Sequence, residues 1–287
     1  MALMGTRDIK RKIKSINSTM QITKAMELVS TAKLKRAKNR LERTKPYFDT
    51  VYSTVQEILR TEKNLKHEFL TKRDVNKTLY IIITGDRGLC GGYNNNAMKI
   101  ISEDVTDKSK AGLITIGKKS RDYFTKNGFE VMKDYIQISE NPQYSHAQEI
   151  ARTALHWFAN EKVDEIKLVY TQMNSAISQE AKMIQLLPVT GDGLESIEAK
   201  RGGYTNYEPS PETVLGYVIP KYIESVIYGA LIESSASEQA ARRLAMESAS
   251  DNAVDMIQEL EISFNKARQA AITQEISEIV GGSEALK

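Results

Sequence analysis

The stretch GDRGLCGGYN, Gly85 to Asn94, is where this sequence most resembles a place for chemistry. It follows an apolar, β-branched run and leads into a helical pattern, as phosphate-binding loops do. Its glycines stand at 85, 88, 91 and 92. Arg87 and Cys90 therefore occupy positions where G-x-G-x-x-G needs glycine, and no Gly-Lys-Ser/Thr follows to make a P-loop. A tight turn that re-aims the chain into a helix accounts for these glycines without a ligand. Asp86 and Arg87 then read as groups for a neighbouring surface. The three histidines, His67, His146 and His156, are far apart and have no companion cysteines, so they make no metal set. Cys90 has no evident histidine partner and reads as a small packed thiol. There is no G-x-S-x-G elbow, and no carboxylate pair stands out from ordinary surface charge. The expectation is no catalytic residue, no metal and no cofactor on this chain.

Charge is the second chemical signal. The net value is +3, from 40 basic and 37 acidic residues, but it is unevenly placed. Arg7 to Lys45 holds thirteen Lys/Arg against Asp8, Glu27 and Glu42, a local +10. Glu224 to Lys287 holds eleven acidic against five basic residues, a local −6. A basic helix such as KLKRAKNRLERTK (Lys33 to Lys45) can bind nucleic acid. Here an apolar stripe runs through the same helix and an acidic partner lies in the same chain, so pairing in cis is the favoured reading and no nucleic acid is expected. The apolar residues are claimed by that pairing, so binding to a membrane surface is not expected either. No apolar run approaches the roughly eighteen residues needed to span a bilayer. The N-terminus, MALMGTRDIKRK, lacks a signal-type apolar region. The single cysteine excludes an internal disulfide and fits a reducing compartment.

The elements that must position these groups follow from periodicity. Residues 6 to about 60 read as a long helix, with Thr6 as a cap and Asp8 in the first turn, where the helix dipole favours a carboxylate. Ile9, Ile13, Ile16 and Met20 form a four-three seam. The apolar stripe then shifts to Ile22, Met26 and Val29, a stutter, before Leu34, Ala37 and Leu41 extend it. Pro46 is expected to kink or interrupt the helix. After a polar linker, strands are predicted at Thr78–Thr84, Ala111–Gly117, Phe129–Ile136, Glu165–Gln172 and Lys182–Val189. Helices are predicted from Asn94, over Lys118–Asn127 and over Tyr144–Asn160. Alternating strands and helices imply a largely parallel sheet covered on both faces. From about Ser210 to Lys287 the chain reads as one helix, with a seam at Ala249, Ala253, Met256, Leu260, Phe264, Ala267 and Ala271. A helix that long needs a partner, since isolated helices are marginal in water. The domain plan is an N-terminal helix over 1–62, an α/β domain over 75–206 and a C-terminal helix over 210–287. Because the α/β part is an insertion, the flanking helices pair antiparallel. Ser234 to Ala253 holds eleven Ala or Ser in twenty residues, which lets helix backbones approach closely. The C-terminal tip, near Ile276 to Leu286, is surplus to the partner helix.

Four segments carry a resemblance. ITKAMELVSTAKL (Ile22 to Leu34), TGDRGLCGGYN (Thr84 to Asn94), SEQAARRLAMESASDNA (Ser237 to Ala253) and NKARQAAITQEISEIVGG (Asn265 to Gly282) closely resemble the γ subunit of F-type ATP synthases, in order and over the whole chain. The resemblance implies a fold: a long antiparallel coiled coil of terminal helices with an inserted Rossmann-like α/β domain. It also implies a non-catalytic rotor shaft, turning inside a ring of α and β subunits and coupling transmembrane ion flow to ATP synthesis, or running backwards on ATP hydrolysis. Its implied partners are the α and β subunits, the ε subunit and the membrane ring of c subunits. Its implied place is the cytoplasmic side of a bacterial cell membrane, peripheral, without insertion into the bilayer.

Carried over by position, Arg268 and Gln269 match a polar pair that contacts a β-subunit loop. Lys24 and Met26 match the N-terminal segment facing moving parts of β. Ile272, Ile276, Ile279 and Val280 match a tip held in an apolar collar. Asp86, Arg87 and Cys90, with Tyr204 and Tyr207, match a lower region used for ε and rotor-ring contacts. Three departures stand out. Gly85 replaces a common serine, which is expected to loosen that turn. Arg243 replaces a common methionine, so its charge must reach a surface. The segment Leu194–Gly203 is short and lacks cysteines, so the thiol switch of chloroplast relatives is absent. Two other readings remain open from the sequence: a coiled-coil scaffold with a ligand-binding α/β domain, and a basic-helix nucleic-acid binder.

Overall fold

The computed structural model describes residues 5–61, 67–189, 208 and 210–285. They form two compact units: residues 31–242, and the residues up to Ser30 together with those from Arg243 onward. The elements in chain order are α1 (Thr6–Thr61), β1 (Thr78–Ile83), α2 (Tyr93–Asp104), β2 (Ala111–Ile116), α3 (Lys118–Lys126), β3 (Glu130–Tyr135), α4 (Tyr144–Ala159), β4 (Glu165–Met173), β5 (Gln179–Leu187) and α5 (Pro211–Ala285).

The larger unit is built on a five-stranded sheet in the order β3-β2-β1-β4-β5. The first four strands are parallel, and β5 returns antiparallel to β4 at one edge. β1 and β2 are buried at every position, which is why they read as unbroken apolar runs rather than alternating ones. Alternate residues of β1 still serve different faces. Leu79, Ile81 and Ile83 join a core with α4, Ile58 of α1, and Leu215, Ile219, Ile223 and Ile227 of α5. Tyr80 and Ile82 join a second core with Ala97, Met98 and Ile101 of α2 and Phe124 of α3. Within this unit α1 and α5 run antiparallel: Leu34 clusters with Ala236 and Ala240, while Phe48 meets Tyr228 edge-on further along α1. Gly117 takes φ +93 at the start of α3, and a Cβ there would collide with the Thr84 carbonyl, so this position requires glycine.

The smaller unit pairs the first part of α1 with the last part of α5. Its seam on α1 is Ile9, Ile13, Ile16, Met20, Thr23, Glu27 and Ser30, all buried or half-buried. The four-three rhythm never breaks, so the expected stutter is absent. Ile22 and Val29, predicted on the seam, are exposed at 61% and 55%. Thr23 and Ser30 take their place. Their hydroxyls bond to the Met20 and Met26 carbonyls of their own helix, which lets them sit in a seam without orphaned polar atoms. On α5 the seam runs Met246, Ser250, Ala253, Ile257, Leu260, Phe264, Ala267. Met256 and Ala271 of the predicted seam are exposed, and Ile257 does the work assigned to Met256. Thr23 Oγ1 and Ser250 Oγ lie 2.7 Å apart across the pair, a buried hydrogen bond.

Two boundary expectations also change. Helix α1 passes through Pro46 without interruption, as α5 passes through Pro220. Thr6 is the first helical residue rather than the cap: the Gly5 carbonyl accepts from the Asp8 and Ile9 amides.

Candidate functional site at the carboxyl edge of the sheet

In an open parallel sheet, ligands bind at the carboxyl ends of strands where the strand order reverses. Here that point lies between β1 and β4, because the chain leaves β1 to one side for β2 and β3 and returns on the other for β4 and β5. The crevice is already occupied. β1 pairs with β4 only as far as Val169, so the end of β4 extends past it. Helix α5 takes up the backbone groups left over. Ser234 Oγ accepts from the Thr171 amide (3.2 Å), Ser237 Oγ donates to the Thr171 carbonyl (3.0 Å), and the Glu233 carboxylate accepts from the Met173 amide (3.1 Å). Ser234, Ala236, Ser237 and Ala240 are fully buried. Their small side chains are what allows a helix to lie this close to a strand end.

One turn further on, α5 buries an ion pair. Arg242 Nη2 donates to Glu238 Oε1 at 2.6 Å and also reaches the Gly88 carbonyl at 3.4 Å. Burial pushes the Glu238 carboxyl above the ordinary range. The Arg242 guanidinium pulls the other way, but Glu140 and Asp86 add to the upward push and burial prevails. Among the described residues the second oxygen, Glu238 Oε2, has no hydrogen-bond partner. The cause is visible at Gly85. A Cβ on Gly85 would lie 2.9 Å from the Glu238 carboxyl carbon, so the carboxylate fills the space a side chain would use. Gly85 is buried and its amide donates to Asn94 Oδ1 at 2.8 Å.

Asn94 explains why the glycine loop is not a phosphate cradle. Its side chain sits inside the loop, accepting from Gly85 and donating to the Arg87 carbonyl (3.2 Å) and Cys90 Sγ (3.1 Å). Asp86 is also spent within the domain. Its carboxylate accepts from the Lys118 amide at the start of α3, the Gln137 amide and the Ser139 hydroxyl. Cys90 is buried, and burial followed by the Glu238 charge raises its thiol pKa, the opposite of an activated nucleophile. Arg87 and Leu89 are the exposed side chains of the loop, with Leu89 held at φ +61 and Gly91 at +55. Each histidine has a local partner: His67 Nδ1 accepts from the Phe69 amide, His146 Nδ1 from the Gln143 amide, and His156 bonds Asn160.

The structure thus gathers Asp86, Arg87 and Cys90 around Glu238 and Arg242. The expected site residues on the terminal helices belong to the smaller unit. Lys24 is exposed and Met26 half-buried on α1; Arg268, Gln269, Ile272, Ile276, Ile279 and Val280 are all exposed on α5. Arg243 finds its surface as foreseen, pairing with Glu247 at 2.8 Å. Tyr204, Tyr207 and the Leu194–Gly203 segment lie outside the described residues. Sequence reasoning missed Asn94, Ser234, Ser237, Glu238 and Arg242 as positioning residues. One signal was available: a Glu and an Arg four apart, with otherwise small residues around them, form a charge pair in a stretch too small-sided to be a solvated face.

A family profile described as "ATP synthase" matches residues 5–286 of the chain. An ATP synthase gamma chain of Alkaliphilus metalliredigens is 51% identical over 288 residues, covering 99% of each sequence. A sodium-ion-specific ATP synthase gamma chain of Acetobacterium woodii is 45% identical, covering 98% of this chain and 99% of its own. Among solved structures, a chain from the central stalk and c-ring of the Tetrahymena thermophila mitochondrial ATP synthase superposes with a TM-score of 0.64 at 29% identity, covering 80% of this chain and 99% of that one. A chain of the Euglena gracilis mitochondrial ATP synthase shares the fold, with a TM-score of 0.68 at 22% identity, covering 98% of this chain and 94% of that one.

Proposed function

The chain belongs to the ATP synthase gamma chain family, and from that premise we propose how its two units divide the work. It is a non-catalytic subunit of a multisubunit ATP synthase, part of the central rotor stalk that couples ion transport to ATP synthesis. It is peripheral to the membrane, and among the described residues no helix is long and apolar enough to cross one.

We infer that the smaller unit is the moving contact with the catalytic head, and that residues 1–62 and 210–287 together act as the shaft. The observation that carries this reading is the surface of α5 from Arg268 to Ser283, which is exposed without exception although it holds Ile272, Ile276, Ile279 and Val280. Four large aliphatics on an uncovered helix need an external apolar surface. Arg268 and Gln269 sit at the entry to that stretch as its polar contacts, and Lys24 with Met26 offers a second contact on α1; both would meet the β subunits. The α/β domain over 75–206 has its ligand crevice filled by α5 of the same chain, which suits a rigid handle. Arg87 is the charge it offers to a further rotor or stalk subunit, with Asp86 and Cys90 shaping the loop beneath it and Tyr204 and Tyr207 assigned to the same contact. The ε subunit and the c-ring are the partners proposed there, on the cytoplasmic face of a bacterial membrane.

The decisive experiment is co-purification. The tagged chain should recover α and β subunits in fixed stoichiometry with ATP hydrolysis. A chain that stays alone in the presence of both subunits would overturn the rotor reading.

A further inference from the structure

The larger unit holds a cleft of about 350 Å³ between α1, the segment 140–142 and α5. Three cationic side chains line it from one face of α1: Lys33, Arg36 and Arg40, spaced three and four apart. Their charges are not equally compensated. Lys33 is neutralised by Glu140, the single carboxylate of the lining, at 2.8 Å. Arg40 donates to the Pro142 carbonyl (2.7 Å) and the Asn141 side-chain oxygen (2.9 Å), both neutral acceptors. Arg36 has no ion pair or hydrogen bond among the described residues. Two positive charges therefore remain in the cleft. From the opposite side come Ser235 and Gln239 of α5. Gln239 is 2% exposed, and its amide nitrogen has no partner among the described residues. A buried amide donor left unpaired is uncommon in folded proteins and asks for an acceptor.

We propose that this cleft binds a small phosphorylated anion, either inorganic phosphate or the phosphate chain of a nucleotide. Two uncompensated guanidinium groups match a dianionic oxyanion, whose oxygens accept the planar two-pronged donation that arginine offers. A single carboxylate would leave one of them unmatched. The neutral donors Ser235 and Gln239 suit the remaining oxygens. The volume lies within the range of small-molecule sites, and Ala37 and Ile232 add apolar lining for more than a bare phosphate. The inference does not rest on the rotor reading, because every residue involved lies in one unit of this chain.

The test is calorimetric titration of the isolated full-length chain with orthophosphate, pyrophosphate and magnesium ATP at constant ionic strength. One saturable site is expected. Arg36→Ala should weaken it by about tenfold or more, with Arg36→Lys in between, while Lys35→Ala, an exposed neighbour outside the lining, leaves it unchanged. Tightest binding of ATP would identify the nucleotide as the source, and equal binding of phosphate the free ion. Arg36 is exposed, so both Arg36 variants should fold, as circular dichroism melting would verify. Two results would overturn the proposal: no saturable binding at millimolar ligand, or equal losses in Arg36→Ala and Lys35→Ala.

Discussion

Two stretches of the same helix, α5, are built for opposite ends. From Ala230 to Ala240 nearly every side chain is buried, although the residues are mostly Ala and Ser with Glu238 among them. From Arg268 to Ser283 every side chain is exposed, although Ile272, Ile276, Ile279 and Val280 are there. Hydrophobicity alone would not have separated the two. The first stretch is small enough to be enclosed by its own chain, with hydroxyls and carboxylates spent on the leftover backbone groups of β4 and on Arg242. The second stretch leaves its aliphatic side chains uncovered, which is why the proposal above gives it an external surface. Burial in this molecule follows fit and polar satisfaction.

The sharpest way to break this contrast is Arg242→Ala. It leaves the Glu238 carboxylate enclosed without the cation it pairs with, and removing one partner of a buried pair costs about 3–5 kcal/mol. Urea denaturation of the isolated chain should show a loss of that size in the transition of the larger unit. A loss below about 1 kcal/mol would mean that the junction is less closed than its geometry implies.

Next in size is Gly85. Gly85→Ala would press a methyl group against the Glu238 carboxyl and should cost about 1–3 kcal/mol. Gly85→Ser meets the same crowding but brings a hydroxyl donor to Glu238 Oε2, which lacks one. Serine should therefore be better tolerated than alanine, by about 1 kcal/mol. Equal costs for the two substitutions would show that the unpaired oxygen is not what the site lacks.

The pH dependence of the junction has a definite sign. A carboxyl whose pKa is raised by folding binds its proton more tightly in the native state. Its contribution is fully present below the ordinary glutamate value near 4.3 and is lost as pH rises through the raised value. Carboxylates held low in the fold, such as Glu140 and Asp104, act in the opposite sense and lose their contribution as pH falls. The difference in stability between wild type and Glu238→Gln isolates the first effect. That difference should decline from pH 4 upward, by at most about 1.4 kcal/mol per pH unit, and then level off.

What the sequence made legible follows the same division. The sheet was readable because β1 and β2 are enclosed on both faces and so consist of unbroken aliphatic runs. The helices were readable in extent, yet their seams were partly misassigned. Thr23 and Ser30 hold seam positions through hydroxyl bonds to their own backbone, while Ile22 and Val29 lie exposed, and an apolar pattern cannot register that exchange. The shaft-to-sheet junction was least legible. It depends on a strand outlasting its neighbour and on Glu238 filling the space left by Gly85, across more than a hundred and fifty residues of sequence. Local spacing holds no trace of either.

The smallest expected change in stability tests the other half of the contrast. Arg268→Ala with Gln269→Ala removes two exposed side chains from a helix that accepts alanine well. Among the described residues Arg268 has no ion pair, and the recorded bond at Gln269 uses its backbone carbonyl, which accepts from Thr273 and survives the substitution. The isolated chain should therefore unfold within about 0.5 kcal/mol of wild type. In the assembled enzyme the same double variant should uncouple ATP hydrolysis from ion pumping, measured as lost proton or sodium uptake into vesicles at retained hydrolysis, or should lower both. A stability loss comparable to that of Arg242→Ala would place these residues in the chain's own packing. Unchanged coupling in a normally assembled complex would remove them from the contact with the head and leave the aliphatic four as the only candidates on that stretch.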